Sequence, residues 1–200
     1  MRSIALATED ELSEAIGLRL LSEWDVLSKS EPQCLRKNGF GYLRSKMGSW
    51  KQMATRQNVL ILTDLDQKNC PIALLDDWLG PKRICPQNLL LRIAVKEIES
   101  WILADHEAMR QLIGRRGQLP LAPDELPDPK QYLLALARHA PRNIREDLVA
   151  QRNAVASQGL GYNRRLADLV QRIWSPQRAA ERSPSLSRAR CSLARMVETL

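Results

Sequence analysis

The strongest apolar run in the chain, Val59-Leu60-Ile61-Leu62-Thr63, ends in Asp64-Leu65-Asp66. An unbroken series of β-branched and aliphatic residues predicts a strand buried on both faces, as in a parallel sheet. Similar runs occupy residues 3–8 (Ser-Ile-Ala-Leu-Ala-Thr) and Leu89 to Val95. Between them the period changes. Leu12, Ala15, Ile16, Leu20 and Leu21 recur at three- and four-residue spacing, which predicts a helix over about 10–24. A polar helix is expected over 42–56. Pro71 opens a short helix that runs to Leu79 and closes at Gly80-Pro81. Lys96 to Asp105 reads as a helix entered directly from the third strand. Residues 28–41 read as a loop around one weak strand. This alternation predicts an α/β fold, a mostly parallel sheet flanked by helices with right-handed crossovers.

After Gly114 the pattern changes. Prolines at 120, 123, 127 and 129 make 114–129 a surface connection. Beyond it only helical periods remain, over about 130–139, 142–150, 163–174 and 185–198. The expected organisation is an α/β domain over 1–113, a Pro-rich connection over 114–129 and a C-terminal α-helical extension over 130–200.

With 200 residues, 44% of them hydrophobic, the chain can bury one sizeable core. No run reaches the ~18 apolar residues of a membrane span, so no membrane partner is expected. The N-terminus reaches acids by Glu9, unlike a secretory signal. The four cysteines are scattered without a Cys-x-x-Cys pair, which favours a cytoplasmic setting. Two histidines, His106 and His139, leave little for a His-based metal site or a Ser-His-Asp triad.

The net charge of +7 is unevenly placed. Residues 1–137 hold 18 basic and 18 acidic side chains, whereas 138–200 hold 12 arginines, no lysine and five acids. Arginine forks onto phosphates and stacks on bases, so Arg142, Arg145, Arg164 and Arg165 are candidate nucleic-acid contacts. The plainer alternative is a solvated helical face. A basic loop, Gly39-Phe40-Gly41-Tyr42 with Arg36, Lys37 and Arg44, offers either a phosphate contact or a turn.

The acids fall at strand exits. Glu9 follows the first strand, Asp64 and Asp66 the strongest one, Glu97 and Glu99 the third. Ligands of open parallel sheets bind beyond the carboxyl ends of the strands. Several oxygen donors with no Cys or His nearby suit Mg²⁺ or Mn²⁺, ions that serve phosphoryl transfer. The plainer alternative makes Asp64 and Asp66 turn and N-cap residues, and Glu9, Glu97 and Glu99, taken singly, read first as helix-start acids.

Glu9 just after the first strand, then Asp64-Leu65-Asp66 after a later hydrophobic strand, resembles the Toprim pattern of topoisomerases, primases and overcoming-lysogenization-defect nucleases. The chain is more similar still to a bacterial family of small Toprim-like proteins. Arg92-Ile-Ala-Val-Lys-Glu-Ile-Glu-Ser-Trp-Ile-Leu-Ala-Asp105 carries that likeness, with Asp128-Pro129-Lys130, Gly161-Tyr162-Asn163 and Ser183-Pro184-Ser185-Leu186. The resemblance implies a Mg²⁺- or Mn²⁺-dependent nuclease acting on DNA, tRNA or other RNA, as an anti-phage defence or toxin effector. It makes Glu9 the catalytic acid or base. Asp64, Asp66 and Glu99, or else Glu97, become metal ligands. It also implies an alternative, a non-catalytic regulatory subunit working with an ABC- or structural-maintenance-type ATPase encoded nearby. Asp10 departs from the pattern, because many Toprim domains place Gly directly after the catalytic Glu. A third reading is a nucleic-acid-binding module with structural acids. Haloacid-dehalogenase phosphatases also carry Asp-x-Asp after a strand, with the first Asp as nucleophile. They continue Gly-Thr, whereas this chain continues Gln67-Lys68-Asn69.

Overall fold

The computed structural model describes residues 3–28, 31–36, 41–66, 68, 70–151 and 155–198. Four strands, β1 (Ile4–Thr8), β2 (Gln33–Arg36), β3 (Asn58–Asp64) and β4 (Leu89–Ala94), form one sheet in the order β2-β1-β3-β4. Every pairing is parallel. The chain is therefore an α/β protein with a parallel sheet flanked by helices, as the alternating pattern predicts.

The strands are continuous apolar runs because both sheet faces are covered. Successive side chains of a strand point to opposite faces. Ile4, Leu6, Leu60 and Leu62 enter one core, and Ala5, Ala7, Val59 and Ile61 enter the other. The second core is closed by α3 (Tyr42–Ser45), α4 (Met47–Met53) and α5 (Pro71–Leu79), through Leu43, Met47, Trp50 and Leu74. The first is larger. It takes α1 (Glu11–Leu21), Leu27 of α2 (Asp25–Ser28), and every helix after α5. Gly17 lets α1 lie close on β1, since a Cβ there would come within 2.6 Å of a Leu6 methyl.

The later helices are α6 (Glu99–Ala104), α7 (His106–Ile113), α8 (Pro129–Ala137), α9 (Arg142–Leu148), α10 (Tyr162–Arg172), α11 (Pro176–Ala180) and α12 (Pro184–Glu198). α10 packs on α1, α12 on β4, and α8 and α11 on α6. Residues from 129 onward thus complete the core that the sheet begins. The connection before them is not wholly superficial. Leu119 and Pro123 are buried, and Pro123–Glu125 forms a 3₁₀ turn against α6.

α6 is the hub of this packing. Trp101 is fully buried, as expected of a core residue. Its indole Nε1 donates to Ser185 Oγ at 2.7 Å, and its carbonyl accepts from Trp174 Nε1 at 3.0 Å. Asp105 is fully buried and accepts from Arg178 Nε and Nη2 and from the Ser175 amide. Asp124 accepts from Ser183 Oγ and the Ser185 amide.

Several element bounds differ from the sequence expectation. Helix 96–105 loses its first turn, because Lys96 takes a left-handed φ of 67° and α6 starts only at Glu99. It breaks at Asp105, whose side chain caps α7 by accepting from the Ala108 amide. The expected helix 42–56 divides at Lys46 into α3 and α4. α11 occupies the interval left between the expected helices 163–174 and 185–198.

Candidate metal centre and its cleft

The sheet order reverses between β1 and β3, which are neighbours, while β2 and β4 lie outward on either side. A crevice opens at such a switch point, beyond the strands' carboxyl ends. Glu9 follows β1 there and Asp64 closes β3. Asp66 turns back with a left-handed φ of 50°, a conformation that Asp tolerates better than most residues. The turn is tied to the exit of β4, since Leu65 N donates to Ala94 O and Asp66 N to Lys96 O, both at 2.9 Å. That lacing brings the acids of the third exit beside those of the second.

Glu97 lies in the turn before α6, and its Oε2 accepts from the Lys130 backbone amide at 2.9 Å. Glu99 opens α6 and is only 4% exposed. Its Oε1 accepts from the Tyr162 hydroxyl at 2.8 Å. The Lys130 ammonium rests 5.2 Å from the centre of the Tyr162 ring. Asp64 continues the even-numbered register of Leu60 and Leu62, toward α6. Its Oδ1 is shielded from solvent and has no hydrogen-bond partner.

These positions make the acids weak acids. Burial raises the Asp64 carboxyl well above its usual range, and Glu99, Asp10, Asp66 and Glu97 push it further. Burial also raises Glu9, with Asp66 and Asp10 adding to it. Asp66 is raised by burial alone. Glu97 and Glu99 are raised by burial, although Lys130 opposes the rise at both. Tyr162 is held protonated by burial and by the Glu99 carboxylate that its hydroxyl faces. All three strand exits therefore contribute to one electrostatic cluster. Among the described residues, no three His, Cys, Asp or Glu side chains are closed tightly enough around a point to hold a metal ion. Unscreened carboxylates repel one another, so a gathered but open cluster is the arrangement expected of them. The donor set is all oxygen, and the orphaned Asp64 oxygen is one that a hard cation satisfies. The residues fit Mg²⁺ or Mn²⁺ on both counts.

A cleft of about 970 Å³ opens beside the cluster, on the α3 and α5 side of the sheet. Glu9, Asp64 and Asp66 line it, together with Arg44, Lys68, Asp77 and Trp78. Asp77 Oδ1 accepts from Arg44 Nη2 at 2.6 Å, and Lys68 Nζ lies 3.1 Å from its Oδ2.

The C-terminal arginines stand elsewhere. Arg142, Arg145, Arg164 and Arg165 do not line the cleft. Arg142 pairs with Glu146 at 2.7 Å, and Arg165 pairs with Asp147. Arg145 and Arg164 are exposed. Asp10 has a structural task, capping α1 by accepting from the Ser13 amide at 2.7 Å. His106 Nε2 donates to the Pro120 carbonyl at 2.8 Å and lies outside the cluster. Of the basic loop, residues 37–40 lie outside the described residues, while Gly41 and Arg44 reach the cleft.

Sequence reasoning assigned no role to Lys68, Asp77, Trp78, Lys130 or Tyr162. Lys68 had a local signal, two residues beyond Asp66. Lys130 and Tyr162 had only their place in the two short segments of the family likeness. No protein-family model matches the chain, and neither a curated protein nor a solved structure matches it.

Proposed function

We propose that the chain is a divalent-cation-dependent phosphodiesterase of the Toprim type that cleaves nucleic acid, in the role of an anti-phage or toxin effector. One observation carries the reading. Asp64 Oδ1 is buried without a partner, inside a cluster of carboxyls delivered by three strand exits. Burying such a group uncompensated is costly, and a hard cation offsets the cost.

Asp64 and Asp66 would hold Mg²⁺ or Mn²⁺, which when bound polarises the phosphodiester and stabilises the leaving oxygen. Glu9 lines the same cleft with its carboxyl pushed upward by burial, so it is placed to pass a proton to the departing oxygen. Glu99 and Glu97 each commit one oxygen inside the protein, to Tyr162 and to the Lys130 amide, and would add the rest of their carboxylates to the cation's ligands. Arg44 and Lys68 supply positive charge in the cleft.

The test is cleavage of single-stranded DNA, duplex DNA and tRNA with Mg²⁺ or Mn²⁺, by wild type, Asp64→Ala and Asp66→Ala. Both variants are expected to lose at least a hundredfold in rate. Cleavage by them at the wild-type rate would sink the assignment.

A second reading keeps the site and drops the catalysis, leaving a regulatory subunit of an ABC- or structural-maintenance-type ATPase. Asp10 favours it, because a capping side chain stands where Gly eases close approach of a phosphate. Co-purification with that ATPase, and no cleavage by the isolated chain, would select this reading.

A further inference from the structure

The cleft carries two kinds of chemistry. Glu9, Asp64 and Asp66 bring acids from two strand exits. Arg44 on α3, Lys68 in the turn after β3, and Asp77 and Trp78 on α5 bring cations and an aromatic ring. Arg44 and Lys68 share the single carboxylate of Asp77, so this trio keeps one unbalanced positive charge. Both cations remain about half exposed, at 58% and 50% of their side-chain surface, while Asp77 is 25% exposed. The carboxylate therefore orients the two cations without shutting them away from a ligand. Leu65, Leu74 and Trp78 add apolar lining between the charged groups.

Cations beside an aromatic ring suit a ligand that carries both phosphates and bases. We infer that the cleft takes a single, unstacked nucleic-acid strand. Arg44 and Lys68 meet phosphates flanking the one above Asp64 and Asp66, and Trp78 lies against a base. This substrate class rests on the phosphodiesterase reading above. A base in a duplex is stacked on both sides and offers Trp78 only an edge, whereas an unpaired base offers its face. A guanidinium and an ammonium held on one carboxylate present donors to successive phosphates without searching for a conformation. Asp77 gathers the two cations and also competes with the incoming phosphate, and the competition outweighs the gathering.

The test is fluorescence anisotropy of a 12-nucleotide labelled strand, as DNA and as RNA, against the blunt duplex of the same sequence. It is run with Mg²⁺ in the Asp64→Asn protein, so that the strand stays whole. Single strands of either sugar are expected to bind at least tenfold more tightly than the duplex. Arg44→Ala/Lys68→Ala should weaken binding at least tenfold. It should also make the log–log salt dependence shallower by about 0.7 for each cation removed. Trp78→Ala should cost at least about fivefold. Asp77→Asn removes the competing anion and should leave binding equal or tighter, with the melting temperature checked alongside. A duplex that binds as well as the strand, or a double variant that binds like its parent, overturns the inference. So does Asp77→Asn weakening the strand as much as the double variant does, since the trio would then be only a strap between α3 and α5. Tight strand binding with no cleavage by wild type would uphold the cleft and remove the nuclease reading alone.

Discussion

The Tyr162 hydroxyl donates to Glu99 Oε1 at 2.8 Å, and both side chains are buried. The bond joins α10 to the acid cluster at the exit of β4. A buried acceptor that loses its donor bears the full desolvation cost, about 1–3 kcal/mol. Tyr162→Phe is therefore expected to destabilise the protein by that amount in urea denaturation. Glu99 should also hold its proton more strongly in the variant, so a higher Mg²⁺ concentration should be needed for half-maximal cleavage. An unchanged metal requirement would leave Tyr162 as packing alone.

The metal-free protein should carry a stability penalty at Asp64. Its folded-state pKa lies well above the usual 3.8, with burial the largest cause and Glu99 next. A group raised in this way contributes stability that is full below the unfolded value and is lost as pH rises through the folded value. Glu9, Glu97 and Glu99, raised from 4.5, act in the same direction. Asp64→Asn removes the charge and keeps the shape. Without divalent ions its melting temperature should exceed that of wild type by a few degrees at pH 8. The gap should shrink toward pH 4. Adding Mg²⁺ should raise the wild type by about 2.7 kcal/mol at a hundred times its dissociation constant, and Asp64→Asn by much less. A wild type that melts identically with and without Mg²⁺ or Mn²⁺ would count against the ion.

The sheet was legible because its strands are buried on both faces. β1 and β3 are continuous apolar runs, and only β2, with exposed residues on an edge, read weakly. The acids were legible for a related reason, since charge appears where a buried strand leaves the core. What could not be read was which groups meet the acids from elsewhere. Tyr162 and Lys130 reach them only because α8 and α10 fold back over α6 and α1, a contact with no local pattern. Arginine content does not show where its charge goes. Arg165, Arg178 and Arg190 pair with Asp147, Asp105 and Glu23, so part of the one-sided charge is spent inside the fold.

Asp105 is the most buried acid of those pairs. Its carboxylate is fully buried, caps α7, and takes two guanidinium bonds from Arg178 besides the Ser175 amide. Removing either member of a buried pair leaves a charge or donors stranded, typically at 3–5 kcal/mol. Arg178 is 35% exposed, so solvent relieves it when Asp105 is lost, whereas Asp105 has no such relief when Arg178 is lost. Arg178→Ala should therefore destabilise at least as much as Asp105→Ala. Lys at 178 should rescue only part, because it cannot span both oxygens. Guanidinium denaturation of the three variants decides the order.

The shared core gives the last prediction. Leu133, Leu134, Leu166, Val170, Leu186 and Leu193 from the C-terminal helices lie in one cluster with Ile4, Leu6, Leu60 and Leu62 of the sheet. A chain ending at residue 128 would uncover the β4 part of that sheet face, which α12 covers, and the surfaces of α1 and α6 that α10, α8 and α11 cover. It would also lose the Tyr162 donor to Glu99 and the Lys130 amide that Glu97 Oε2 accepts. Apolar surface on that scale cannot stay in water at about 25 cal/mol per Å² without collapse or aggregation. Residues 1–128 expressed alone should thus fail to give a cooperative melting transition or bind Mg²⁺. Adding residues 129–200 as a separate chain should restore both if the two pieces associate. A sharp transition in the fragment by itself would show that residues 1–128 have a sufficient core of their own.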